Sequence, residues 1–94
     1  MYQVRRTKNF ETSIKRIKNS GAKISVKEKI EETIDIIASG QKLLASYRNH
    51  KLAGELSGYQ ECHIKGDLLL IYKIEKNNLI LILADIGSHS ELFK

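Results

Sequence analysis

The stretch Tyr59-Gln60-Glu61-Cys62-His63-Ile64-Lys65-Gly66-Asp67-Leu68-Leu69-Leu70-Ile71-Tyr72-Lys73-Ile74 decides the fold class. Through Lys65 it alternates as a strand does, with Gln60, Cys62 and Ile64 on one side and Tyr59, Glu61, His63 and Lys65 on the other. Cys62 and Ile64 read as core, which leaves His63 and Lys65 on the exposed face. Gly66-Asp67 reads as a turn into the next strand. Leu68 to Ile74 is apolar at alternating and intervening positions alike, so this strand is covered on both faces, or covered on one and used for a partner on the other. A second such run, Leu79 to Ile86, follows the hairpin signal Glu75-Lys76-Asn77-Asn78. Upstream, Lys51 to Leu56 is a short strand candidate, joined to Tyr59 by a tight turn at Ser57-Gly58.

The first half has a different period. After a weakly alternating Tyr2 to Arg6, the residues Phe10, Ile14 and Ile17 form one apolar stripe at helical spacing, with Gly21 as its stop. Ser25-Val26-Lys27-Glu28 fits a capping box. Val26, Ile30, Ile34 and Ile37 then continue a second helix up to Gly40. The predicted order is strand, two helices and four strands: an α+β fold, one domain over residues 1–94, with both helices packed on one face of the sheet.

Composition narrows the function classes. Of the 94 residues, 41% are apolar and 29% charged, the balance of an ordinary globular chain. The single Cys62 excludes an internal disulfide and any multi-thiolate zinc site. No apolar run approaches the roughly 20 residues of a membrane span, and Met-Tyr-Gln-Val-Arg-Arg lacks a signal-peptide core, so the expected address is cytoplasmic with no membrane partner. The formal +5 charge is uneven: residues 1–50 hold eleven basic and five acidic residues, residues 51–94 five and six. A basic half suits a polyanion, an anionic membrane surface or an acidic protein as partner, and selects none of them. Lys15, Arg16 and Lys18 are its candidate docking residues.

All three histidines, His50, His63 and His89, fall in or beside the sheet half, together with Asp67. Each also has an ordinary structural reading: solvated strand-end histidines, a turn aspartate and a small buried thiol. Their spacing matches no local metal-ligand motif. Cleavage of RNA without a metal needs a base for the 2′-OH, an acid for the leaving oxygen and cations for the charge on the phosphorane. Histidine suits the first two roles, and Lys51 and Lys65 are candidates for the third.

Three segments carry a family resemblance. His50-Lys51-Leu52-Ala53-Gly54, the run Gly58 to Tyr72, and Gly87-Ser88-His89-Ser90-Glu91-Leu92-Phe93 resemble the YafQ-type branch of the RelE/ParE toxin superfamily. The match covers about residue 50 to the C-terminus, and the helical half resembles the family in architecture. The resemblance implies a small curved antiparallel sheet with two N-terminal helices on one face. It also implies the toxin of a type II toxin–antitoxin pair, an mRNA interferase that enters the A site of the 70S ribosome and cuts the message. An antitoxin protein would wrap it, and operator DNA would be bound only through that antitoxin. No cofactor and no metal are implied. The family's functional residues land on His50, His63, Asp67, His89 and Phe93. On this reading His89 is the general acid, the base comes from His50, His63 or Asp67, and Phe93 stacks on a base of the message. Ser88-His89-Ser90-Glu91 fits a capping box that would orient His89.

Two positions depart from the pattern. Asp85 stands before Ile86-Gly87-Ser88-His89 where the family commonly carries Arg, and Gln60 follows Tyr59 where Arg is frequent. An acid near the cut site would oppose the developing negative charge, so Asp85→Arg is expected to raise cleavage. Two further readings stay open: a relative that inhibits by binding alone, as gyrase-directed toxins of this architecture do, and a catalytically weakened member that mainly binds antitoxin.

Overall fold

A computed structural model describes residues 1–93. The chain runs β1 (Gln3–Arg6), α1 (Lys8–Asn19), α2 (Ile24–Ala38), β2 (His50–Lys51), β3 (Gln60–Lys65), β4 (Leu68–Glu75), β5 (Ile80–Ser88) and α3 (His89–Leu92). Short 3₁₀ turns, Ala45–Tyr47 and Gly54–Leu56, flank β2.

The five strands form one sheet in the order β1-β5-β4-β3-β2. β2 to β5 pair antiparallel as expected, whereas β1 lies parallel to β5, with Gln3 opposite Ile80 and Arg6 opposite Leu83. The α1–α2 hairpin intervenes before the strand meander, which frees β1 to pair with the last strand. Phe10 and Ile14 of α1 and Ile30, Ile34 and Ile37 of α2 pack on Cys62, Ile64, Leu70, Tyr72, Leu81, Leu83 and Ile86. The helical stripes and the Cys62/Ile64 parity therefore meet in one core. On the opposite face of β4, Leu69 and Ile71 are 1% and 4% exposed, so this strand is covered on both sides.

Helix ends follow local chemistry. Thr7 caps α1 by accepting from the Phe10 N–H, and its hydroxyl donates to the Ala84 carbonyl at 2.6 Å. At the end of α2, Gln41 N–H bonds to Ile36 O and Gly40 N–H to Ile37 O, the paired bonds of a Schellman stop. The Ser25–Glu28 box is not used. α2 begins at Ile24 after an extended Lys23, whose carbonyl takes the Val26 and Lys27 N–H groups, so Ser25 already lies inside the first turn.

The strand expected over Lys51–Leu56 stops after two residues. Gly54 has φ +68°, a left-handed conformation that breaks extended pairing and starts the Gly54–Leu56 turn. Leu52 N–H still reaches the Tyr59 carbonyl at 2.9 Å, so Leu52 to Tyr59 closes as a wide loop rather than a two-residue hairpin. Charge also divides more finely than by halves. β1 and α1 hold six basic residues and one acidic, whereas α2 holds two basic and four acidic. Only α1 is a basic helix.

Among the described residues, no helix is long and apolar enough to cross a membrane.

Candidate active site

The β2–β3 register puts His50 opposite Glu61, and strand alternation puts His63 on the same face as Glu61. One carboxylate oxygen, Glu61 Oε1, lies 3.5 Å from His50 Nε2 and 3.7 Å from His63 Nε2. The Glu61 side chain is 6% exposed, against 52% for His50 and 28% for His63. Sequence parity placed Glu61 on the open side with His63 and Lys65, and the side assignment holds. Its burial is a tertiary effect, because two imidazoles stand in front of it. Parity plus the convergence of two histidines was the available signal for Glu61, and it was missed.

His50 Nδ1 sits 3.0 Å from the Arg48 carbonyl, which can only accept, so Nδ1 holds a proton. Arg48 supports this contact from a left-handed backbone conformation, φ +49°. A neutral His50 therefore presents its Nε2 lone pair beside the carboxylate, and protonation at Nε2 creates an imidazolium with Glu61 as its counter-charge. Behind this strand pair, Tyr72 Oη donates to Asn49 Oδ1 and Asn49 Nδ2 donates to Gln60 Oε1 at 2.9 Å, holding the residue before His50 to β3 and β4. Gln60 belongs to this support and not to the open face.

The second group is the tail. Ser88 caps α3: its hydroxyl accepts from Glu91 N–H, and Glu91 Oε1 accepts from Ser88 N–H at 2.8 Å, the box expected from the sequence. The Ser88 backbone N–H first, then the Ser88 side chain and the Arg16 guanidinium, hold the Glu91 carboxyl below its ordinary range. The tail folds tightly over β5, since a Cβ on Gly87 would lie 3.0 Å from Glu91 Oε1 and 3.5 Å from Leu92. His89 is exposed, and its ring centroid lies 5.0 Å from that of Phe93.

The two groups share one end of the sheet. His63 pairs with Leu69 and Leu69 with Gly87, so the His63 and Gly87 backbones are two strand spacings apart, about 10 Å. Lys51 and Lys65 are exposed at the ends of β2 and β3, and Asp67 is exposed on the turn after Lys65. Lys15 and Lys18 are exposed on α1. Arg16 is instead drawn to Glu91 Oε2 at 3.2 Å, so it braces the tail from α1.

The Asp85 carboxylate is held by two hydrogen bonds. Its Oδ1 accepts from Ser13 Oγ at 2.6 Å and from Ile86 N–H at 2.8 Å, which turns the carboxylate toward α1. The backbone bulge at Ala84, where Ile71 pairs with Asp85 but Tyr72 with Leu83, swings it there. Asp85 acts as a clamp between α1 and β5.

Among the described residues, no set of three or more His, Cys, Asp and Glu side chains is arranged to hold a metal ion. Glu61 Oε1 itself fills the point toward which both imidazole nitrogens converge.

A sequence profile described as the bacterial toxin of type II toxin–antitoxin system, YafQ, matches residues 2–94. The chain belongs to this family. A YafQ protein of Haemophilus influenzae is 31% identical over 67 residues, 71% of this chain and 66% of that protein. The mRNA interferase toxin YafQ of Escherichia coli is 37% identical over 51 residues, 54% of this chain and 53% of the relative. The alignments thus span between half and two thirds of these curated YafQ proteins. Over whole chains, a metal-bound toxin from Helicobacter pylori superposes with a TM-score of 0.86 at 35% identity, covering 99% of this chain and all of that one. YafQ in the E. coli DinJ–YafQ complex superposes with a TM-score of 0.84 at 23% identity, covering both chains fully, which shows the shared RelE-like fold.

Proposed function

We propose that this YafQ-family chain is an endoribonuclease toxin that cuts mRNA in the ribosomal A site by 2′-OH attack on the adjacent phosphate. The observation that carries the reading is the shared Glu61 oxygen between His50 Nε2 and His63 Nε2. In this mechanism His50 Nε2 takes the 2′-OH proton while its Nδ1–H stays bound to Arg48 O, and Glu61 balances the imidazolium that forms. His63 shares that carboxylate, Asp67 stands exposed on the turn after Lys65, and Lys51 and Lys65 supply cations for the phosphorane. His89, on the capped tail, protonates the leaving 5′ oxygen, and Phe93 stacks on a base of the message.

A protein antitoxin as partner is supported by the DinJ complex of the E. coli relative. The reading of a weakened member loses its main motive, because the Asp85 carboxylate is engaged by Ser13 rather than turned to the site. The test is mapping of message 5′ ends after induced expression of wild type, His63→Ala and His89→Gln. Cuts in phase with codons, lost in both variants, support the proposal; near wild-type cutting by both would sink the residue assignment. DNA damage without cuts would favour a gyrase-directed binder.

A further inference from the structure

Beside the tail lies a cleft of which the mechanism above uses only Phe93. It has a volume of about 390 Å³ and is lined by Leu52, Ala53, Glu55 and Leu56 on one side and Leu92 and Phe93 on the other. This is the lower part of the range of small-molecule sites, roughly 300–1,000 Å³. One wall is therefore the wide loop that follows the His50–Lys51 strand, and the other is the tail that carries His89. The Phe93 ring centroid lies 5.0 Å from that of His89, so a base stacked on Phe93 sits close to the proposed acid.

We propose that this cleft is a nucleobase slot and that Glu55 is its specificity-determining residue, selecting guanine. The inference rests on the RNA-cleaving reading and extends it to substrate choice. An aromatic ring facing aliphatic side chains suits a flat, apolar-faced group, and every base offers such a face. What separates the bases is the edge. A carboxylate presents two acceptors side by side and no donor. Guanine alone offers two adjacent donors on its Watson–Crick edge, N1–H and the N2 amino group. Adenine and cytosine place an acceptor nitrogen beside their amino group, and uracil has one N–H between two carbonyls. Glu55 is exposed on the Gly54–Leu56 turn and engaged in no hydrogen bond or ion pair among the described residues, so its carboxylate is available to an incoming base.

The experiment compares wild type, Glu55→Ala and Glu55→Gln on one set of messages translated in vitro, reading the ratio of cutting at guanine-containing and uracil-containing sites within each variant. Wild type is expected to favour guanine at one fixed position beside the cut. Both variants should lower that ratio by roughly tenfold or more, the size of a lost bidentate base contact. An unchanged ratio in either active variant, or wild-type cutting with no guanine preference, overturns the slot and leaves the endoribonuclease reading standing. Wild-type protein that cuts nothing overturns that reading. The slot is then judged by NMR titration with guanosine and uridine 5′-monophosphates. Shifts at Leu52, Leu56 and Phe93 that are larger for the guanosine nucleotide, and equalised by Glu55→Ala, support the slot; no shifts at those residues overturn it.

Discussion

His50 and Glu61 face each other across the β2–β3 register, with Nε2 of the one 3.5 Å from Oε1 of the other. β2 is two residues long, so a minimal strand exists at the point where this pair must meet. The carboxylate is buried and the imidazole half open, an arrangement in which the carboxylate can hold the ring and offset its charge while the ring stays accessible to RNA.

Glu61→Gln should keep the fold, since the amide has the same shape, but removes the counter-charge for an imidazolium. Cleavage in the translating system is expected to fall on the order of 10²-fold or more, the range of a general acid–base contribution. Near wild-type turnover with normal thermal stability would show that Glu61 is a packing residue.

Ser13→Ala and Asp85→Ala should each lower stability by about 1.5–3 kcal/mol, because each breaks a hydrogen bond to a partly buried carboxylate. For a chain of this size that corresponds to a fall in Tm of roughly 6–24 °C. The double variant should fall by less than the two losses added together. Asp85→Arg places a cation where Ser13 offers only a hydroxyl, so it should destabilise as well. Unchanged Tm in both single variants would remove the clamp.

Burial pushes the Cys62 thiol up to about 12, helped by the Glu61 charge, and pushes the Tyr72 hydroxyl up to about 12, helped by Cys62. Both groups prefer to stay neutral in the folded protein, whereas the unfolded chain ionises at the ordinary values near 9 and 10. Their contribution is fully present below pH 9 and is lost as pH rises toward 12, by at most about 1.4 kcal/mol per pH unit for each group. Thermal melts between pH 8 and pH 11 should show this decline, with a shallower slope for Cys62→Ala. An equal slope in that variant would count against Cys62 as a source.

Lys15→Ala and Lys18→Ala should each reduce the slope of log affinity for ribosomes against log salt by about 1, and leave single-site chemistry largely unchanged. Arg16→Ala should behave differently, because Arg16 is engaged by Glu91 and its loss loosens the tail. Salt slopes that match wild type in both lysine variants would move the docking surface off α1.

Local chemistry made much of this protein readable from its residues. The stripes of Phe10, Ile14 and Ile17 and of Ile30, Ile34 and Ile37, the parity of Cys62 and Ile64, and the Ser88–Glu91 box all act within one helix or one strand. Tertiary structure decided the rest. Glu61 is buried because His50, eleven positions earlier, arrives across the sheet, and Asp85 is a clamp because Ser13, 72 positions earlier, reaches it from α1. The parallel pairing of β1 likewise depends on where the last strand ends up. A polar side chain's role follows from the partner that removes it from water, and those partners come from distant parts of the chain that no local pattern records.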